Sequence, residues 1–85
     1  NEGLQTAEAL TVYPNPTDGT LYVENLPEGA FTGGIYDLHG RRMMPLNVQG
    51  GETLSLPVAK LRKGAYIVKL TATDGTMHTA KFQKL

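Results

Sequence analysis

The sequence predicts an all-β fold, an antiparallel β-sandwich of about seven short strands. Three observations lead there. Ten glycines and five prolines are spread through 85 residues, as punctuation between short segments and not as a low-complexity tract. No window of roughly 10–12 residues sustains helical spacing of its apolar residues. Apolar and polar residues instead alternate with period two in segment after segment.

Taken in order, residues 1–9 read as a linker or loose lead-in, and residues 10–85 as the domain. Leu10-Thr11-Val12-Tyr13 alternates and stops at Pro14. Residues 20–24 put Leu21 and Val23 on one face, Tyr22 and Glu24 on the other. The next strand is expected over residues 34–38, preceded by Gly33 and ended by His39-Gly40. A return strand runs from Arg41 to about Val48, and Gly50-Gly51 turns the chain. Residues 53–56 make a short strand with Leu54 and Leu56 inward, and residues 58–61 one helical turn after Pro57. The strongest strands, 65–73 and 76–83, are joined by Asp74-Gly75. That dipeptide signals a two-residue type I′ hairpin, because both residues tolerate positive φ. The strand count is immunoglobulin-like, without the paired Cys and central Trp of antibody domains.

A chain of this size forms one domain and buries roughly 60–65% of the surface its unfolded chain exposes. It has no cysteine, so no disulfide staples it and no thiolate acts as nucleophile or ligand. No run approaches the roughly 18 apolar residues of a membrane span. The first ten residues are polar and mixed, unlike a signal peptide, so any export signal is expected elsewhere in a longer protein. Net charge is zero, but residues 1–40 hold six acids and no base, whereas residues 41–85 hold all eight bases and two acids. A sandwich interleaves its halves, so these charges are expected to complement one another in space. The sharper alternative is a basic face of Lys60, Arg62, Lys63, Lys81 and Lys84 that meets an acidic partner.

The chemical inventory points away from an enzyme. His39 and His78 have no His, Cys or carboxylate at metal-ligand spacing. Asp18-Gly19 and Asp74-Gly75 read as turns, since no Asp/Asn-rich loop supplies the converging oxygens calcium needs. Gly33-Gly34 is read as preceding a strand, not a helix N-terminus, so it does not cradle a phosphate. Ser55 is the sole serine and lies within a strand. The bases are few and not interleaved with aromatics, so nucleic acid is not an expected partner. No metal or other cofactor is expected.

Four stretches share an order with one known family. The first is Val12-Tyr13-Pro14-Asn15-Pro16-Thr17-Asp18-Gly19. Pro14 and Pro16 donate no ladder hydrogen bond and end a strand. Asn15 and Asp18 are expected to bond their own backbone, with Gly19 permitting the reversal. The second is Ile35-Tyr36-Asp37-Leu38-His39-Gly40-Arg41, a strand running into a glycine turn and a base. The third is Leu61-Arg62-Lys63-Gly64-Ala65-Tyr66-Ile67-Val68-Lys69, where Gly64 turns the chain and Tyr66 begins an inner strand. The fourth is Thr79-Ala80-Lys81-Phe82-Gln83-Lys84-Leu85, lysines around an apolar residue. Together they resemble the C-terminal sorting domain of type IX secretion cargo, over roughly residues 10–85. One departure is Leu85, apolar where many relatives end on a base.

The resemblance implies a non-catalytic address. Its passenger, itself an enzyme or not, would cross the periplasm and then the outer-membrane translocon to the cell surface or the medium. A sortase-like surface enzyme would remove the domain in the lead-in, at or upstream of residues 1–9 and near Gly3, and join the passenger to anionic lipopolysaccharide. Partner recognition is expected at Lys81, Phe82, Lys84 and Leu85, on a final strand lying near a sheet edge. Phe82 has an ordinary alternative as a core residue, and Lys81 and Lys84 as guards against aggregation. The family-motif positions are Tyr13, Pro14, Asn15, Pro16, Gly19, Tyr36, Gly40, Gly64 and Tyr66; Tyr66, Ile35 and Leu21 are expected in the core, and Pro14 to Pro16 are structural unless read by a partner. Two rival readings remain: an immunoglobulin-like binding or adhesion module, and a spacer domain. The first calls for exposed aromatics, yet there is no Trp, and the four Tyr and two Phe fall mostly at positions that read as inward or turn.

Overall fold

The computed structural model of the protein describes residues 7–85, with side chains from residue 10 onward. Its strands are β1 (Ala7–Ala9), β2 (Thr11–Tyr13), β3 (Thr20–Glu24), β4 (Ala30–Asp37), β5 (Arg42–Gln49), β6 (Leu54–Pro57), β7 (Gly64–Ala72) and β8 (Met77–Lys84). They form one sheet in the order β1-β8-β7-β4-β5 and another in the order β2-β3-β6. Every pairing between strands is antiparallel except that of β1 with β8. The fold is thus the expected all-β sandwich. Of the expected lead-in, residues 1–6 lie outside the described residues, and residues 7–9 form the parallel strand β1.

Period-two alternation places the core. On β7, Tyr66, Val68 and Leu70 point inward, and on β3 so do Leu21 and Val23. Phe31 and Ile35 from β4, Leu56 from β6 and Phe82 from β8 meet them between the sheets. Burying each such side chain contributes about 1.5–3 kcal/mol. Tyr66, Ile35 and Leu21 are therefore core residues, as expected. Tyr66 stacks on Phe82 with ring centroids 5.7 Å apart. Its hydroxyl donates to the Arg62 carbonyl at 2.7 Å, the arrangement of a tyrosine corner. That contact satisfies the polar tip of a buried ring.

Three details differ from the sequence expectation. β4 starts at Ala30, so Gly33 and Gly34 lie inside the strand and not before it. A Cβ on Gly33 would collide with the Lys69 carbonyl, and one on Gly34 would sit 2.5 Å from the Met44 carbonyl. The glycines let β5 and β7 approach β4 closely, which is a packing role. Residues 58–61 form a hydrogen-bonded turn, with Leu61 N–H donating to the Val58 carbonyl at 3.0 Å, and not a helical one.

The third difference is the β7–β8 hairpin. Ala72 N–H donates to the Thr76 carbonyl and Gly75 N–H to the Ala72 carbonyl. Gly75 has φ +92°, and Asp74 is not among the positive-φ residues. The connection is thus a three-residue loop, a tight turn closed by a left-handed glycine, and not a type I′ pair. The β4–β5 connection repeats it: Asp37 N–H donates to the Arg41 carbonyl, Gly40 N–H to the Asp37 carbonyl, and Gly40 has φ +84°.

Candidate recognition surface around the final strand

β8 was expected near an open sheet edge. Its outer edge is instead covered by the beginning of the chain. Residues 7–9 pair with residues 77–79, and Leu10 N–H donates to the Thr79 carbonyl at 2.9 Å. Past the β2–β3 pair's start, the Pro-Asn-Pro-Thr segment returns to the same edge. Asn15 Oδ1 accepts from Gln83 N–H at 3.0 Å, and Asn15 Nδ2 donates to the Lys81 carbonyl at 3.4 Å. Thr17 N–H then donates to the Gln83 carbonyl, and Leu85 N–H to the Thr17 carbonyl, both at 2.9 Å. Asn15 therefore bonds the far strand and not its own backbone. The physical reason is the flanking prolines: they break the regular ladder, so an amide side chain substitutes for the missing main-chain partner.

Thr17 had no sequence signal, yet it is 1% exposed. Its hydroxyl donates to the Thr20 carbonyl at 2.6 Å and accepts from Gly19 N–H at 3.4 Å. The reversal into β3 is thus held by a threonine hydroxyl. Gly19 is not among the positive-φ glycines, and a Cβ there would meet only Ala59 Cβ, at 4.0 Å. Nothing in the backbone at this position requires glycine. Pro14 and Pro16 are exposed, and both bonds that precede them, Tyr13–Pro14 and Asn15–Pro16, are cis.

The four residues expected to meet a partner separate by strand parity. Phe82 and Lys84 face inward at 2% and 6% exposure, while Lys81 is exposed and Leu85 is 60% exposed. Lys84 lays its stem along the core and keeps its Nζ at the rim, donating to the Leu85 carbonyl at 2.9 Å. The alternative of a basic face built from Lys60, Arg62, Lys63, Lys81 and Lys84 does not assemble as one surface, because Lys84 is buried and Lys81 projects from the opposite side of β8. Of the opposed charges in the two halves of the sequence, Asp37 and Arg41 meet: Arg41 Nε lies 3.1 Å from Asp37 Oδ2.

The remaining family-motif residues are dispersed. Gly40 occupies the left-handed position of the β4–β5 loop, and Gly64 opens β7 with φ +153°. Tyr36 is half-buried, with Lys69 Nζ 5.9 Å from its ring centroid. Tyr13 and Tyr22 are 40% and 38% exposed on the outer face of the small sheet, so these aromatics are more open than the sequence suggested. Their rings stack on each other at 5.3 Å and so do not present a shared flat platform. Hydrogen bonding to the Glu24 carboxylate raises the Tyr13 phenol above its usual value.

Two aspartates order loops. Asp37 Oδ1 accepts from the His39 and Arg41 amides, both at 2.9 Å, and Asp74 Oδ1 from the Thr76 amide at 2.9 Å. The Arg41 amide foremost holds the Asp37 carboxyl below its ordinary value, and the Thr76 amide does the same for Asp74. Among the described residues no three His, Cys, Asp or Glu side chains gather as a metal site, and no helix is long and apolar enough to cross a membrane. The surface therefore offers shape, strand edges and charge.

Residues 11–84 match the family model described as the secretion system C-terminal sorting domain. No curated protein and no solved structure matches the chain.

Proposed function

Because the chain belongs to the family of secretion system C-terminal sorting domains, we propose that its final strand is a conformational address, legible to the type IX translocon only once the sandwich has closed. Membership implies the type IX secretion machinery and export to the cell surface or the extracellular space. A sorting signal is not itself a catalyst.

One observation carries the finer reading: Asn15 and Thr17 bond residues 81–85 along the outer edge of β8. A signal in an unfolded tail would need no such latch. With the latch formed, the β8 backbone is paired along both edges and its inward residues are hidden, so the outward Lys81 and Gln83 and the apolar Leu85 are what a receptor can touch. Phe82 and Lys84 act through the fold, by fixing the strand that presents them. The passenger would cross the periplasm folded. Cleavage in the lead-in by a sortase-like enzyme, and attachment of the passenger to anionic lipopolysaccharide, would follow recognition.

The test is export of a reporter fused to residues 1–85 in a type IX-competent strain, beside a Lys81→Glu fusion and one lacking residues 81–85. The intact fusion is expected at the surface or in the medium. The Lys81→Glu fusion is expected to stay folded in the periplasm, and the truncated one to stay there with its sandwich loosened. If the intact fusion also stays in the periplasm while folded, the address reading fails and the binding-module reading replaces it. If Lys81→Glu exports normally, the outward face of β8 is not what the receptor reads.

A further inference from the structure

On the side of the sandwich away from β8, the five-stranded sheet ends in β5 and the three-stranded sheet ends in β6. Between the start of β5 and the end of β6 lies a cleft of about 1090 Å³. Arg41, Arg42, Lys60 and Arg62 line it, and among the described residues no acidic one does. Arg41 is already engaged by Asp37 at 3.1 Å, so Arg42, Lys60 and Arg62 set the field. Met43, Met44 and Leu61 give the cleft its apolar wall, and no aromatic ring lines it.

The flanking edges decide how an occupant would be held. Gly50 N–H bonds Gly29 on the β4 side, and the register is regular back to Met44, so Pro45 turns its nitrogen outward. By the same alternation, Val58 N–H bonds Gly19 on the β3 side and Pro57 turns its nitrogen outward. Each free edge thus lacks a donor where an added strand would need one. An occupant is held by side chains and not by extending a sheet.

The donor set then narrows its chemistry. Guanidinium groups pair with carboxylates in bidentate fashion. Methionine side chains adapt to apolar partners of varied shape. A saccharide would lack a ring to stack upon. We infer that this cleft is a docking site for an acidic segment of another protein, carrying apolar side chains between its carboxylates. The inference concerns the side opposite β8 and stands apart from the export reading.

The experiment uses the purified chain with its methionine methyls labelled for NMR. The probes are a short peptide of alternating glutamate and leucine, its lysine–leucine counterpart, and dextran sulfate. The glutamate peptide is expected to shift the Met43 and Met44 methyls saturably, leave Met77 on β8 unmoved, and weaken as salt is raised. Lys60→Glu together with Arg62→Glu should weaken it roughly tenfold or more, whereas Lys69→Glu, outside the cleft, should leave it unchanged. Both altered side chains of the double variant lie in an exposed turn, so loss of folding does not confuse the result. Absence of a shift at Met43 and Met44 overturns the inference. So does equal binding of the lysine peptide, equal loss in Lys69→Glu, or tighter binding of dextran sulfate at the same methyls, which would assign the cleft to an anionic glycan.

Discussion

The two sides of the sandwich handle the same hazard differently. On the β8 side, β8 is covered by residues 7–17, through pairings that reach 70 positions along the chain, from Ala7 to Met77. On the β5–β6 side, each sheet ends on a strand that no described residue covers and whose outward positions include a proline. An unpaired strand edge invites association with another chain. Covering it ties the two ends of the domain together and makes the final strand depend on the whole fold. Blunting it with proline leaves the edge accessible but unable to accept a full ladder. The first device couples the exposure of the final strand to folding, and the second leaves room for a cleft lined by bases. If this contrast is right, changes on the β8 side should act mainly on stability, and changes on the β5–β6 side mainly on association.

The largest expected effect is on the covered side. Phe82 is 2% exposed and stacks on Tyr66. Phe82→Ala should cost about 3–5 kcal/mol of folding stability, from lost burial and the cavity left behind. Met43 on the open side is 37% exposed, and Met43→Ala should cost less than about 1 kcal/mol. Chemical denaturation of both variants checks the pair. Equal losses would mean that the two sides are equally tied to the core.

Next comes the latch itself. Asn15→Ala removes both bonds to β8 and should cost about 1–2 kcal/mol, at roughly 1 kcal/mol for each hydrogen bond. The Gln83 amide should exchange faster with solvent in that variant, and the amides of β4 should change little. If Gln83 keeps its protection, the backbone bonds of Thr17 hold the edge without help from Asn15.

The glycines separate positions that need a left-handed backbone from those that do not. Gly40→Ala and Gly75→Ala should each cost about 1–2 kcal/mol, because φ near +84° and +92° is strained for an L side chain. Gly19→Ala, in the segment that closes the β8 side, should stay within about 0.5 kcal/mol. A large loss at Gly19 would mean that the bend after Thr17 needs more than the threonine hydroxyl.

The same two loops set a pH dependence. Asp37 and Asp74 have folded pKa values below the ordinary 3.8. Each therefore contributes stability that is fully present above the unfolded value, and loses it as pH falls from about 4 through the folded value. Denaturation midpoints should fall in that window, and Asp37→Asn or Asp74→Asn should each flatten the fall. A fall centred near neutrality would mean that these two carboxylates do not set the pH dependence.

Local pattern explains which parts of this were legible in the sequence. β3, β7 and β8 were readable because alternation and burial coincide there, and Tyr66 stood out as the first inward residue after a glycine turn. Gly33-Gly34 hid the first half of β4, because glycine reads as a turn unless the neighbouring strands that press on it are known. Asp74-Gly75 suits both a two-residue and a three-residue loop, and the register of the flanking strands decides between them. The latch was not legible, since Asn15 and Thr17 meet residues from the far end of the chain and leave no periodic trace. Lys81 and Lys84 looked equivalent as a pair of bases. Their odd and even positions along β8 send one outward and the other into the core. The cleft was half visible, with Lys60 and Arg62 singled out, but Arg41 and Arg42 joined them only through the packing of β5 beside the turn after β6.

The smallest expected change in stability carries the sharpest test of the open side. Pro45→Ser restores an outward N–H on β5 without touching the core, so folding stability should shift by no more than about 0.5 kcal/mol. The β5 edge would then carry outward donors at residues 45, 47 and 49 without a gap, and that is the condition for strand addition between two copies. Sedimentation of the variant should show more concentration-dependent association than the parent chain. Arg42 and Met43 stay in place, so the charge and apolar wall of the cleft are unchanged, and a new dimer would be traceable to the backbone donor alone. If Pro45→Ser sediments as the parent does, proline is not what protects this edge; the cations at the start of β5 would then be the repelling element, and Arg42→Ser should release the association instead.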